Sequence, residues 1–170
     1  VAVDRPDRLG RRKILEVHSR GKPLASELDL DALAAQTPGF TGADLSNLIN
    51  EAAILTARSG NREITMKELE EGIMRVIAGP EKKTRLLSEE ERKVTAYHEM
   101  GHALVGHYLD QDTDVHKISV VSRGQALGYT ISLPREDRYL TRKSTLMDQL
   151  AATLGGRAAE EAVFNEVTTG

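Results

Sequence analysis

The chain has 170 residues, 39% of them hydrophobic, enough for one ordinary domain or two small ones with a real core. Its 26 acidic and 23 basic residues interleave to a net charge of −3 without a basic block, so no nucleic-acid partner is expected. The absence of cysteine excludes a disulfide framework and a thiolate zinc site, leaving His, Asp and Glu to hold any metal.

In chain order, Val1-Ala2-Val3-Asp4 reads as the tail of a strand. A helix is expected over Arg8 to Ser19, with Leu9, Ile14, Leu15 and His18 sharing one side and Gly21 and Pro23 ending it. A short helix follows from about Asp29 to Gln36, with Leu30, Leu33 and Ala34 inward, and Thr37-Pro38-Gly39-Phe40 turns the chain. Thr41 is placed to cap a helix over Gly42 to Arg58, whose Leu45, Leu48, Ile49, Ala52, Ala53 and Leu55 form a broad apolar stripe. Thr65 and Glu68 have capping-box spacing at the head of a helix reaching Ala78, with Leu69, Ile73, Met74 and Ile77 toward the core.

Residues 79 to 87 join a Gly-Pro helix stop to a charged cluster and read as a linker, giving domains at 1–78 and 88–170. Ser88 and Glu91 form another capping box opening a long helix to about Leu109. Val115 to Val121 and Leu127 to Leu133, around Ser122-Arg123-Gly124-Gln125, read as two strands of a small sheet. Pro134 to Tyr139 reads as a loop. Thr141 to Leu154 and Arg157 to Phe164 read as helical, broken or bent at Gly155-Gly156. The turn-like stretch from Asn165 to Gly170 has nothing to cap it, so the chain reads as an excerpt. No apolar run approaches the roughly 20 residues that span a bilayer, and the N-terminus lacks a signal-peptide pattern.

The long helix carries His98-Glu99-Met100-Gly101-His102. Residues four apart share a helix face, so His98 and His102 can offer two imidazole nitrogens to one ion, with Glu99 beside it. Zinc with two such ligands, a third ligand and an open position lowers the pKa of a water to about 7, and Glu99 can take its proton. Val94, His98, His102, Val105 and Leu109 follow one inward stripe, where two unpartnered imidazoles would be costly and a metal removes that cost. Gly101 sacrifices about 1 kcal/mol of helix propensity, a cost explained by close approach of another backbone or of substrate.

The third ligand stays open. His107 is rotated about 140° off the metal face, so the extended three-histidine helix motif is missing and His107 reads as a surface or packing residue. His116 starts a strand and reads as structural. Glu160 and Glu161 stand where a thermolysin-like site would supply a glutamate, but charged pairs on helices are usually solvated. A scaffold carrying a degenerate catalytic site is the alternative to an enzyme, although all three residues of the motif are intact.

With these residues placed, the chain resembles the FtsH family of ATP-dependent zinc metalloproteases along essentially its whole length. Asp4-Arg5-Pro6-Asp7, Ile14-Leu15-Glu16-Val17-His18 and Thr37 to Leu45 are similar to the helical lid of its AAA+ module. Thr95 to Ala103, Val115 to Ile118, Arg123 to Gly128 and Gly155 to Glu161 are similar to the start of its peptidase domain. The resemblance implies a mainly α fold: a helical lid bundle, then a mostly helical peptidase fragment with a small β-sheet. It implies His98 and His102 as ligands of one Zn2+ per subunit, catalytic Glu99, and a third ligand from an aspartate just beyond Thr-Thr-Gly. Met100 departs from the family's usual alanine and adds bulk beside the site. In the lid, His18, Gly42 and Ala43 are implied near the adenine and ribose of ATP held mainly by an upstream subdomain; no phosphate loop occurs in this chain. The resemblance further implies a homo-hexamer anchored to the cell membrane by segments outside this chain. These domains would face the cytoplasm, with unfolded or membrane proteins as substrates.

Overall fold

A computed structural model describes residues 4–82, 87–109, 113–124, 126–134 and 140–169. The expected strand tail at 1–3, residues 83–86 of the linker, Gln125 of the turn and 135–139 of the loop lie outside the described residues. The fold is mainly helical, with six helices and one two-stranded antiparallel sheet among the described residues. It divides into two compact units, Val1–Pro80 and Glu81–Gly170.

The first unit holds α1 (Arg8–Ser19), α2 (Leu30–Ala35), α3 (Gly42–Arg58) and α4 (Met66–Ala78). Each start is fixed by a side chain satisfying backbone N–H groups that have no helical partner. Asp7 accepts from the Gly10 N–H at 2.7 Å, and Thr41 and Asp44 cap α3 reciprocally. At α4 the Glu68 carboxylate accepts from the backbone N–H of Thr65 at 3.0 Å and from its hydroxyl. Gly79, at φ 80°, ends α4 in a conformation that costs a residue with a Cβ dearly. Leu15, Leu33, Leu45, Leu48, Ile49, Ile64 and Leu69 make the core at 1% exposure or less, each stabilising the unit by roughly 1.5–3 kcal/mol. Of the expected apolar stripes, Leu9 in the first turn of α1 is 58% exposed and Ile77 in the last turn of α4 is 46% exposed, so neither joins the core.

The second unit is built on α5 (Glu89–Tyr108), β1 (Thr113–Ser119), β2 (Tyr129–Pro134) and α6 (Lys143–Phe164). Ser88 and Glu91 cap α5 reciprocally. The strands pair with Ser119 opposite Tyr129 and Ile118 opposite Thr130, and a bulge between Val115 and Lys117 leaves His116 as the extra residue. Both strands are shifted from the expected ranges, β1 toward its N-terminus and β2 toward its C-terminus, because 120–124 and 126–128 lie outside the ladder. Arg123, 1% exposed, anchors that turn: Nη2 donates to Glu81 Oε1 at 2.7 Å and Nε to the Tyr129 hydroxyl at 3.3 Å.

Of the break or bend expected at Gly155-Gly156, the break does not occur, since α6 runs unbroken for 22 residues. Those glycines serve packing instead. A Cβ on Gly101 would come within 2.3 Å of the Gly155 carbonyl oxygen, and one on Gly155 within 2.6 Å of the Gly101 oxygen. Helices α5 and α6 therefore cross backbone on backbone, which accounts for Gly101 in mid-helix and brings α6 against the histidines. No helix among the described residues is long and apolar enough to cross a membrane.

Candidate metal centre

Four residues apart on α5, His98 and His102 bring their Nε2 atoms to 3.0 Å. The other nitrogen of each ring is fixed by α6. His102 Nδ1 lies 2.8 Å from the Ala152 carbonyl oxygen, which only accepts, so Nδ1 carries the ring proton. The Gly156 N–H also points at this Nδ1, at 3.3 Å, but the shorter contact to a pure acceptor decides the tautomer. His98 Nδ1 lies 2.6 Å from Glu160 Oε1. Burial works to raise the Glu160 pKa, but donation from the Thr168 N–H, the His98 ring and the Thr168 hydroxyl holds it below the usual carboxylate range. Glu160 is therefore an acceptor, and His98 Nδ1–H is the donor.

The Nε2 atoms of both rings then point into the same small space. Two ring nitrogens 3.0 Å apart need a proton or a metal cation to bring them together, and both side chains are zinc-ligand types. Two nitrogens in a tetrahedral zinc shell stand about 3.3 Å apart, given Zn–N distances near 2.0–2.1 Å, so the pair fits zinc with little adjustment. Gly156 leaves the required room: a Cβ there would lie 2.5 Å from His98 Nε2 and 2.7 Å from His102 Nε2. Among the described residues no set of three His, Cys, Asp or Glu side chains converges on one point.

Glu99 is 7% exposed and lines a cleft of about 1060 Å³ together with His98, Gly128, Glu160 and Thr168. The Thr130 hydroxyl lies 2.7 Å from Glu99 Oε2 and 2.9 Å from the Glu99 carbonyl oxygen.

The residues weighed as a third ligand separate cleanly. His107 and His116 are exposed. Glu161 is exposed, but Glu160 is 1% exposed and bonds the His98 nitrogen that does not face His102. The expectation of a solvated glutamate pair is thus corrected for Glu160, whose burial follows from the glycine crossing that presses α6 onto α5. Its partners lie 62 residues back and 8 residues ahead, outside any local pattern. In the first unit, His18 is half-buried near the end of α1, Gly42 opens α3 and Ala43 is exposed. A Cβ on Gly42 would lie 4.0 Å from Ile14, one turn before His18.

A family model described as peptidase family M41 matches residues 85–170, half of the chain, and an AAA+ lid domain model matches residues 27–71. The chain belongs to peptidase family M41, the FtsH family. Among relatives named ATP-dependent zinc metalloprotease FtsH, this M41 chain is 74% identical over 170 residues to FtsH 1 of Conexibacter woesei. It covers all of this chain and 26% of that protein. Identity is 59% to the Rubrobacter xylanophilus protein, again over all of this chain and 26% of the relative. It is 56% to the Thermotoga maritima protein, over all of this chain and 28% of the relative. The M41 chain thus spans about a quarter of the length of these relatives.

Proposed function

We propose that this chain carries zinc-binding and proton-transfer residues of an ATP-dependent metalloendopeptidase, with His98 and His102 as zinc ligands and Glu99 as general base. The observation that most supports it is the pair of Nε2 atoms 3.0 Å apart, each ring fixed through its Nδ1. Zinc, when bound, supplies Lewis acidity, lowering the pKa of a water toward about 7 and polarising the substrate carbonyl. The side chains supply the rest. Glu160 and the Ala152 carbonyl orient the rings and set their tautomers. Glu99, on the wall of the cleft, takes the proton of the attacking water and returns it to the leaving amine. The resemblance assigns the third ligand to an aspartate beyond the Thr-Thr-Gly stretch, and the stoichiometry to one zinc per subunit.

In the same reading, residues 1–78 form the helical lid of an AAA+ module, 79–87 a linker and 88–170 part of the peptidase domain. His18, Gly42 and Ala43 border a nucleotide held by an upstream subdomain. ATP hydrolysis drives unfolded or membrane proteins to the peptidase in a homo-hexamer that other segments anchor to the membrane, with these domains in the cytoplasm.

The test is Glu99→Gln in the full-length protein. Casein degradation falls by roughly 100-fold or more while ATP hydrolysis and zinc content are unchanged. Undiminished degradation contradicts the reading, and a wild-type protein that hydrolyses ATP but degrades no casein supports the scaffold alternative instead.

A further inference from the structure

We infer that Thr130 is a positioning residue for Glu99, and that strand β2 aims the carboxylate which α5 carries; this rests on the role proposed for Glu99. Helix α5 fixes the Cα of Glu99 but leaves its rotatable side-chain bonds free, and a misplaced proton acceptor is a poor one. The Thr130 hydroxyl has one proton and two acceptors in reach, Glu99 Oε2 at 2.7 Å and the Glu99 carbonyl oxygen at 2.9 Å. That carbonyl lies inside α5, where the helical ladder already satisfies it. The carboxylate is the stronger acceptor, so the hydroxyl ties Oε2 to the strand.

Gly128, just before β2, completes the cradle. A Cβ there would come 2.9 Å from both Cγ and Oε1 of Glu99. Oε1 has no hydrogen-bond partner among the described residues and lies beside Gly128, a wall of the same cleft. One carboxylate oxygen is therefore held and the other left to exchange a proton. The strand is itself held at this end, because the Arg123 Nε bonds the hydroxyl of Tyr129, next to Thr130.

Thr130→Val in the full-length protein removes the hydroxyl and nearly keeps the shape. The kcat for labelled casein is expected to fall roughly 10- to 100-fold with KM, zinc content and ATP hydrolysis unchanged, and Thr130→Ser to restore most of it. Wild-type kcat in the valine variant overturns the inference, as does a serine variant as slow as valine, or loss of zinc from either. Should valine not fold, Thr130→Ala against Thr130→Ser gives the same contrast. Proteolysis surviving Glu99→Gln removes the underlying reading, whereas an inactive Glu99→Gln beside a fully active Thr130→Val removes this inference alone.

Discussion

Glu160 Oε1 stands 2.6 Å from Nδ1 of His98, joining the end of α6 to the middle of α5 across 62 residues of sequence. The Thr168 N–H, 2.6 Å from Oε2, holds the carboxylate from the other side. Glu160→Gln keeps the shape but weakens the hydrogen bond that orients the ring, so zinc affinity falls about 10- to 100-fold. Competition with a chelating indicator measures this. Unchanged affinity means the ring is held adequately without the charge.

Gly156→Ala places a methyl group 2.5 Å from His98 Nε2 and 2.7 Å from His102 Nε2, in the space the metal needs. Alanine also raises helix propensity in α6, so helix content is kept while zinc is lost. Circular dichroism and zinc analysis on the same sample check both halves, and an alanine variant with full zinc counts against the site.

Gly101→Ala acts differently, because its Cβ meets the Gly155 carbonyl at 2.3 Å and forces the two helices apart. A loss of roughly 1–3 kcal/mol is expected, seen as a lower unfolding midpoint of the second unit. An unchanged midpoint would mean the crossing relaxes at no cost.

Glu68 supplies a pH-dependent contribution in the first unit. Above all the Thr65 hydroxyl lowers its pKa, burial works the other way, and the Thr65 N–H adds to the lowering. A lowered folded pKa means the stabilisation is full above the unfolded value of about 4.3 and is lost as pH falls through the folded value. Glu68→Gln therefore costs about 1 kcal/mol at pH 7, by analogy with the loss of a helix cap. The gap between variant and wild type closes below about pH 4. Urea unfolding at neutral and acid pH checks the sign, and a gap that widens in acid contradicts it.

Features fixed by neighbouring residues were legible in the sequence. The four-residue spacing of His98 and His102 and the capping pairs Thr65–Glu68 and Ser88–Glu91 depend on one turn of helix, and the structure shows each of them. Features fixed by distant contacts were not. Gly155-Gly156 reads locally as a helix break or bend, yet α6 continues through it with α5 packed on that face. Glu160 looks like a surface charge until the same crossing buries it against His98. Thr130 has no local mark, since its partner Glu99 is 31 residues away on another element.

The most direct test of the account is the zinc content of the purified full-length protein beside His98→Ala and His102→Ala, measured by elemental analysis. The account predicts about one zinc ion per chain in the wild type and loss of that zinc in each variant. Zinc retained at the wild-type level in either variant would contradict it.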